Sequence, residues 1–339
     1  MSTVISTGLL AYGMSGKLFQ GPFIDAHQGF KLHAVTERHE KNAEKDFPGI
    51  ISYDTTDDLI ADENIDLIVV NTPNYLHYEH AKKALHAGKH ILVEKPFAAN
   101  AAEAAEIFEL AETLGKKVFV FQSRRWDSDF NAVKKIVDSE KLGKLSEVHF
   151  RYDRYKAGIG VKSFKEELVP ATGLQYDLGP HLLDQAISLF GKPDSFHKIL
   201  GKNRKGTKVD DYFSIHLSYP NSVNVFVHAS MLVVEPLPAF VLHGEKGTFI
   251  KERADIQEEQ LLKGIKPNDS GFGIEARGKE GKLTLIDNNG DRTQELVPSD
   301  SATYLSLFEE VYQSLVSDKP FPVTQAQVLA QLEILEAGS

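Results

Sequence analysis

Over roughly the first 120 residues, short apolar runs alternate with stretches long enough for an amphipathic helix, and a glycine-containing turn closes the first run. This rhythm constrains the chain more than any single residue does. Residues 4–10 read as a strand that ends at Ala11, Tyr12, Gly13, Met14, Ser15 and Gly16; 14–27 read as a helix, and 30–35 as the second strand. The run Ile65-Asp66-Leu67-Ile68-Val69-Val70 reads as a buried strand, with a helix over 76–87 after it. Residues 90–93 and 118–121 supply two more strands, and 101–115 a helix between them. Strands separated by such helices imply a parallel sheet with right-handed crossovers.

The pattern changes after about residue 127. A helix over 130–139 leads to an alternating strand at 146–152, and the alternation returns at 212–219, 222–230, 239–242, 248–251 and 282–286. Turns such as Tyr219-Pro220-Asn221 and Asn288-Asn289-Gly290 join these segments. Alternation of this kind argues for an open antiparallel sheet with one solvated face. Two helices, near 302–317 and 324–335, close the chain and are expected to pack back on the first domain. The expected fold is α/β: a doubly wound parallel sheet over 1–123, then an α+β domain with an open, mainly antiparallel sheet over 124–339. A chain of 339 residues suits two domains, because cores split beyond roughly 250 residues.

Composition removes several function classes. The formal charge of -10 comes with no concentrated basic surface, so no nucleic-acid partner is expected. No apolar run approaches the roughly 20 residues that span a bilayer, and the N-terminus lacks the basic and apolar regions of a secretory signal. With no cysteine, disulfides, thiolate metal sites and cysteine nucleophiles are all absent. No metal site is expected, and the cytoplasm is the expected location.

The turn after the first strand suits a dinucleotide. A pyrophosphate binds at a helix N-terminus, where free N–H groups and the helix dipole face its charge. The backbone must come close, so small residues are needed; Gly13 and Gly16 fit the second and third glycines of the G-x-G-x-x-G pattern, and Ala11 replaces the first, with Tyr12 between Ala11 and Gly13. Glu37 ends the second strand, where an acid would meet the adenosine ribose and favour NAD. Arg38 follows it and leaves NADP open, because a guanidinium also suits a 2′-phosphate. Thr72, Pro73, Asn74 and His77 fall at the carboxyl edge of the sheet, where ligands of doubly wound folds bind.

Further motifs then fall in order: Val93-Glu94-Lys95-Pro96, Arg124-Arg125-Trp126-Asp127, and a segment from Gly173 to Asp184 with Asp177 and His181 four apart. Together with Thr72-Pro73-Asn74 and His77, they resemble the glucose–fructose oxidoreductase, inositol dehydrogenase and rhizopine-catabolism (Gfo/Idh/MocA) oxidoreductases over almost the whole chain. The branch that contains NADP-dependent scyllo-inositol dehydrogenase is particularly similar. The resemblance implies a Rossmann domain, a second domain whose open sheet forms dimer or tetramer contacts, and catalytic roles for Lys95, Asp177 and His181. It also implies that Glu94 reaches the nicotinamide ribose. Elementary chemistry agrees with the catalytic set. Oxidising a secondary alcohol needs a base for the hydroxyl proton while hydride leaves carbon, and a neutral histidine suits that task. A lysine can stabilise the developing alkoxide. On one helix, Asp177 and His181 would share a face, so the carboxylate can orient the ring or bind a substrate hydroxyl.

The expected reaction is hydride transfer between a nicotinamide cofactor and a secondary hydroxyl of a sugar, inositol or related polyol. Arg125 and Tyr176, with Lys162 and Phe164 of the preceding loop, are expected to line the outer substrate wall. That loop departs from the inositol-type pattern: relatives carry an Arg-Trp pair where this chain has Lys162-Ser163-Phe164-Lys165. Alternatives are a reductase of a dihydrodiol or tetrapyrrole, or a nucleotide-sensing regulator of the same fold without turnover. The presence of Lys95, Asp177 and His181 argues against the regulator.

Overall fold

Leu67, Ile68, Val69 and Val70 are all buried, as a strand with neighbours on both edges and helices on both faces requires. A computed structural model describes residues 3–159 and 166–338. The chain divides into two compact units, one of residues 1–123, 257–273 and 303–325, the other of 124–256, 274–302 and 326–339.

The first unit runs β1 (Ile5–Leu9), α1 (Gly21–Ala26), β2 (Phe30–Thr36), α2 (Ala43–Asp46), β3 (Ile51–Tyr53), α3 (Thr56–Ala61), β4 (Leu67–Val70), α4 (His77–His86), β5 (His90–Val93), α5 (Ala101–Thr113) and β6 (Val118–Val120). Its six strands pair in parallel in the order β3-β2-β1-β4-β5-β6. The order reverses between β1 and β4, and ligands of such sheets bind in the crevice beyond the strand ends at that point. Side-chain caps set two helix starts: Thr55 accepts from the Asp58 N–H ahead of α3, and Asn100 from the Glu103 N–H ahead of α5.

The helix expected over 14–27 is broken. Ser15–Gln20 form a wide turn in which the Gly21 N–H reaches back to the Gly16 carbonyl, and α1 begins only at Gly21. Pro22 has no N–H for the next helical bond, so the regular ladder stops there. Strand β3 has no counterpart in the sequence reading. It is three residues long, partly exposed, and pairs only with β2, so it carries no apolar run.

The second unit comprises α6 (Ser128–Asp138), β7 (Leu145–Arg151), α7 (Leu174–Asp177), α8 (Gly179–Phe190), β8 (Ser195–Gly201), β9 (Tyr212–Tyr219), β10 (Val223–Ser230), β11 (Phe240–Gly244), β12 (Gly247–Lys251), β13 (Gly281–Ile286) and β14 (Arg292–Val297). Helix α9 (Ile256–Leu262), from Gln257 onward, and α10 (Leu305–Ser317) belong to the first unit; α11 (Gln325–Glu336), from Ala326 onward, belongs to the second. The sheet order is β14-β13-β12-β11-β7-β10-β9-β8, antiparallel except between β7 and β10. Along β9, Phe213, Ile215 and Leu217 are fully buried while Tyr212, Ser214 and His216 are partly exposed. Helix α8 covers β10 and β7, and α6 covers β12. On the opposite face the His216, Phe226 and His149 rings stack in a row.

Candidate active site

In the first unit, the ends of β1 and β4 are tied together at the reversal point. The Ala11 N–H donates to Asn71 Oδ1 (2.9 Å), and Asn71 Nδ2 donates back to the Ala11 carbonyl (2.8 Å). Gly16 is packed against this pair: a Cβ there would lie 2.3 Å from the Ala11 oxygen and 3.0 Å from Asn71 Nδ2. Gly13 is the opposite case, exposed and with nothing within 4 Å of the Cβ position. One glycine therefore permits close packing and the other leaves open space before the first helical turn, so the residues present fit a pyrophosphate. The structural part played by Asn71 was missed in the sequence; its only signal is an amide directly after four buried apolar residues.

Glu94 lies at the end of β5. Its carboxylate accepts from the Ser15 hydroxyl, from Gln20 Nε2 (3.0 Å) and from the Lys95 N–H (3.2 Å). The backbone that carries Lys95 is thus held to the helical turn that follows the glycines. Ser15 and Gln20 gave no sign of this pairing in the sequence.

His77 and Thr72, expected to face the cofactor, need correction. His77 is fully buried, with its ring nitrogens 2.8 Å from the Pro96 and Thr72 carbonyl oxygens. It ties the loop after β4 to the loop after β5. Burial holds its pKa below the usual histidine value, against the opposing pull of those carbonyls and Glu94. The Thr72 hydroxyl is likewise buried against His80 Nδ1 at 3.0 Å. Pro73 and Asn74 remain partly exposed at the crevice edge.

Glu37 is only 8% exposed. Its carboxylate accepts from the Asn42 N–H (2.8 Å), the Ala43 N–H (3.1 Å) and the Ser52 hydroxyl (2.8 Å). Arg38 beside it is exposed. The Tyr12 hydroxyl donates to Asp46 (2.7 Å), which Lys17 also pairs at 3.1 Å. Burial works against the ionised Asp46, but Tyr12 and Lys17 together hold its carboxyl below the usual range.

In the second unit, Asp177 and His181 fall on two helices and not one. Helix α7 ends at Asp177 and α8 begins at Gly179. Pro180 has no N–H to offer the Tyr176 carbonyl, which interrupts the run at Leu178. His181 lies in the first turn of α8 and is buried; Asp177 is partly buried. Both helices are firmly placed. Gly173 opens α7 at φ +95°, where a Cβ would lie 2.0 Å from Asp210 Oδ1. Asp210 Oδ2 in turn accepts the Gln175 N–H at 2.6 Å. Burial pushes the Asp210 carboxyl up to about 6, although the Gln175 N–H and Lys198 oppose the shift.

Arg125 does not present a free guanidinium. It is paired through two hydrogen bonds with buried Asp184 on α8 (2.6 and 2.8 Å), and also donates to Gln327 (2.9 Å). Gln331 of α11 donates to the Pro180 carbonyl (2.7 Å). Tyr176 lines a cavity of about 580 Å³ that includes Thr172, Gln175, Lys202 and Asp210. Lys162 and Phe164 lie outside the described residues. Among the described residues no group of three or more His, Asp or Glu side chains could hold a metal ion, and no helix is long and apolar enough to cross a membrane.

Two family models match this chain: residues 5–122 fit the oxidoreductase family with an NAD-binding Rossmann fold, and 130–250 fit the GFO/IDH/MocA C-terminal domain. The chain belongs to the Gfo/Idh/MocA oxidoreductase family. An uncharacterized oxidoreductase of Schizosaccharomyces pombe is 37% identical over 353 residues, which cover 98% of this chain and 96% of that protein. The scyllo-inositol 2-dehydrogenase (NADP(+)) IolW of Bacillus subtilis is 32% identical, covering 98% and 92%. The crystal structure of an oxidoreductase from Bacillus cereus superposes with a TM-score of 0.91 at 30% identity, covering 98% of this chain and 95% of that one. As a Gfo/Idh/MocA member, the protein pairs a parallel six-stranded Rossmann sheet with a mainly antiparallel eight-stranded sheet.

Proposed function

We propose that the protein transfers a hydride between a nicotinamide dinucleotide and a secondary hydroxyl or carbonyl of a sugar, inositol or related polyol, with Lys95, Asp177 and His181 as its proton relay. The observation that carries this reading is the anchored exit of Lys95 from β5. Glu94 binds the Lys95 N–H and is itself bound by Ser15 and Gln20, so the lysine leaves the sheet beside the glycine turn. Similarity to the scyllo-inositol 2-dehydrogenase (NADP(+)) of Bacillus subtilis supports a polyol substrate and a nicotinamide partner.

The chemistry supplied by a bound nicotinamide is acceptance or return of hydride. His181 takes the hydroxyl proton as general base. The Lys95 ammonium donates to the developing alkoxide and stabilises its charge. Asp177 orients the imidazole or accepts from a neighbouring substrate hydroxyl. The Arg125–Asp184 pair and the Gln331 contact support these roles by fixing α8, because a misplaced base loses rate steeply. We also assign dimer or tetramer contacts to the outer face of the second sheet, where Ile199 is 50% exposed, and a cytoplasmic location to the protein.

The test is a screen of polyols and sugars with NAD+ and NADP+, following absorbance of the reduced ring. Lys95→Ala and His181→Ala should each lower kcat at least ~100-fold, while nucleotide affinity survives in His181→Ala. Nucleotide binding with no turnover on any polyol, sugar, dihydrodiol or tetrapyrrole would favour the regulator. Wild-type turnover in His181→Ala would remove that residue as the base.

A further inference from the structure

The carboxylate at the end of β2 is engaged by its own chain. A carboxylate has about four acceptor positions. Glu37 uses three of them on its own chain, for the Asn42 and Ala43 N–H groups and the Ser52 hydroxyl. Those donors come from the first turn of α2 and from β3, so Glu37 closes the loop between β2 and α2 like a clasp. Lys41 adds to the same closure: its ammonium donates to the Glu37 carbonyl at 2.6 Å and the Tyr53 carbonyl at 3.1 Å, and pairs with Asp54 at 2.7 Å. The loop's other acid, Glu40, accepts from the Asn42 side chain at 3.2 Å. Arg38 and His39 remain exposed at the apex.

We propose that Glu37 is a positioning residue that shapes this loop, and that Arg38 is the specificity-determining residue which makes the protein prefer a dinucleotide with a 2′-phosphate, NADP, over NAD. This rests on the oxidoreductase reading above and reverses the preference that an acid at this position suggests. A free acid after β2 would repel a 2′-phosphate and bind both ribose hydroxyls. Here the acid is buried, and its carboxylate oxygens accept from two backbone N–H groups and the Ser52 hydroxyl. The exposed guanidinium has the planar donor fork that suits a phosphate. Its contribution should fall with added salt, because an exposed pair is screened.

The experiment measures dissociation constants of NADP+, NAD+, adenosine 2′,5′-bisphosphate and AMP by calorimetry, with Tm measured alongside, for wild type, Arg38→Ala and Glu37→Gln. Wild type should bind NADP+ about 10- to 100-fold more tightly than NAD+, the range of one charge-assisted contact. The bisphosphate should exceed AMP by a similar factor, which isolates the 2′-phosphate from the nicotinamide end. Arg38→Ala should bring the two dinucleotides to within about threefold by weakening NADP+ alone. Glu37→Gln should lower Tm without improving NADP+ affinity. NAD+ bound as tightly as NADP+ overturns the inference and leaves the oxidoreductase reading standing. So does a Glu37→Gln protein of unchanged Tm that gains NADP+ affinity, because Glu37 would then be the ribose ligand. A protein that binds neither dinucleotide removes the oxidoreductase reading, and this inference with it.

Discussion

Gly13 and Gly16, three residues apart in one turn, should respond to the same substitution in opposite ways. In Gly16→Ala the new methyl would stand 2.3 Å from the Ala11 carbonyl oxygen, about 1 Å inside an ordinary carbon–oxygen contact of ~3.3 Å. Neither neighbour yields easily, because Ala11 and Asn71 hold each other through two hydrogen bonds. Overpacking costs about 1–3 kcal/mol, and loosening the Asn71 pair about 1 kcal/mol per bond. A loss of about 2–4 kcal/mol is expected, which lowers Tm by roughly 5–15 °C for a unit of this size. Nucleotide affinity should fall as well, because the helical turn that faces the phosphates is displaced. In Gly13→Ala the methyl meets no protein atom within 4 Å, and the backbone is not in the left-handed region. Stability should therefore stay within ~0.5 kcal/mol of wild type. Binding should still weaken at least ~10-fold, because the methyl occupies the space assigned to the pyrophosphate. Thermal unfolding and fluorescence titration with the dinucleotide separate the two effects. Wild-type affinity in Gly13→Ala would show that this turn does not hold the phosphates. Wild-type Tm in Gly16→Ala would show that the Ala11–Asn71 junction relaxes freely.

Gly173→Ala combines a φ of +95° with a Cβ 2.0 Å from Asp210 Oδ1, so it should displace α7 and Asp177. Turnover should fall at least ~10-fold with dinucleotide affinity unchanged; full kcat would refute a positional role for α7. Asp210 should also leave a mark on the pH dependence of stability. Its folded pKa of about 6 lies above the ordinary 3.8, so the folded state holds the extra proton between these values. Its contribution is present below pH 4 and is lost as pH rises through 6, a span worth up to ~3 kcal/mol. Urea unfolding should accordingly show wild type gaining on Asp210→Asn as pH falls from 7.5 to 4.5; a pH-independent difference would contradict the assigned shift. The buried and half-buried histidines act with the other sign. Burial lowers the pKa of His77, His80, His90 and His228, so their contribution is present above the unfolded value near 6.5 and is lost as pH falls below it. Replacing His90 by Gln should reduce the loss of stability between pH 6.5 and 5, and an unaltered pH profile would count against its burial as the cause.

The alternation of apolar runs and helix-length stretches is a local property, and it carried the parallel sheet and the open antiparallel sheet into view, while short motifs such as Glu94-Lys95-Pro96 carried the family. Burial imposes a period on the residues themselves: four consecutive apolar residues at β4, or every second residue along β9, can be read without knowing the partner. Small residues at 11–16 were legible for the same reason, since a close backbone approach restricts residue type on the spot. The partners of polar side chains leave no such period. Glu37 was visible as an acid at the right distance from the glycines, but its hydrogen bonds come from α2 and from β3, whose three residues carry no apolar run. His77 looked available to a ligand, and only the approach of the Thr72 and Pro96 carbonyls shows it spent inside the fold. Asp210 stands 37 residues from the Gly173 turn it packs against, and Asn71 60 residues from Ala11. Such pairings arise when distant segments meet after folding, so the sequence determined which residues are buried, and tertiary structure decided what each buried polar group holds.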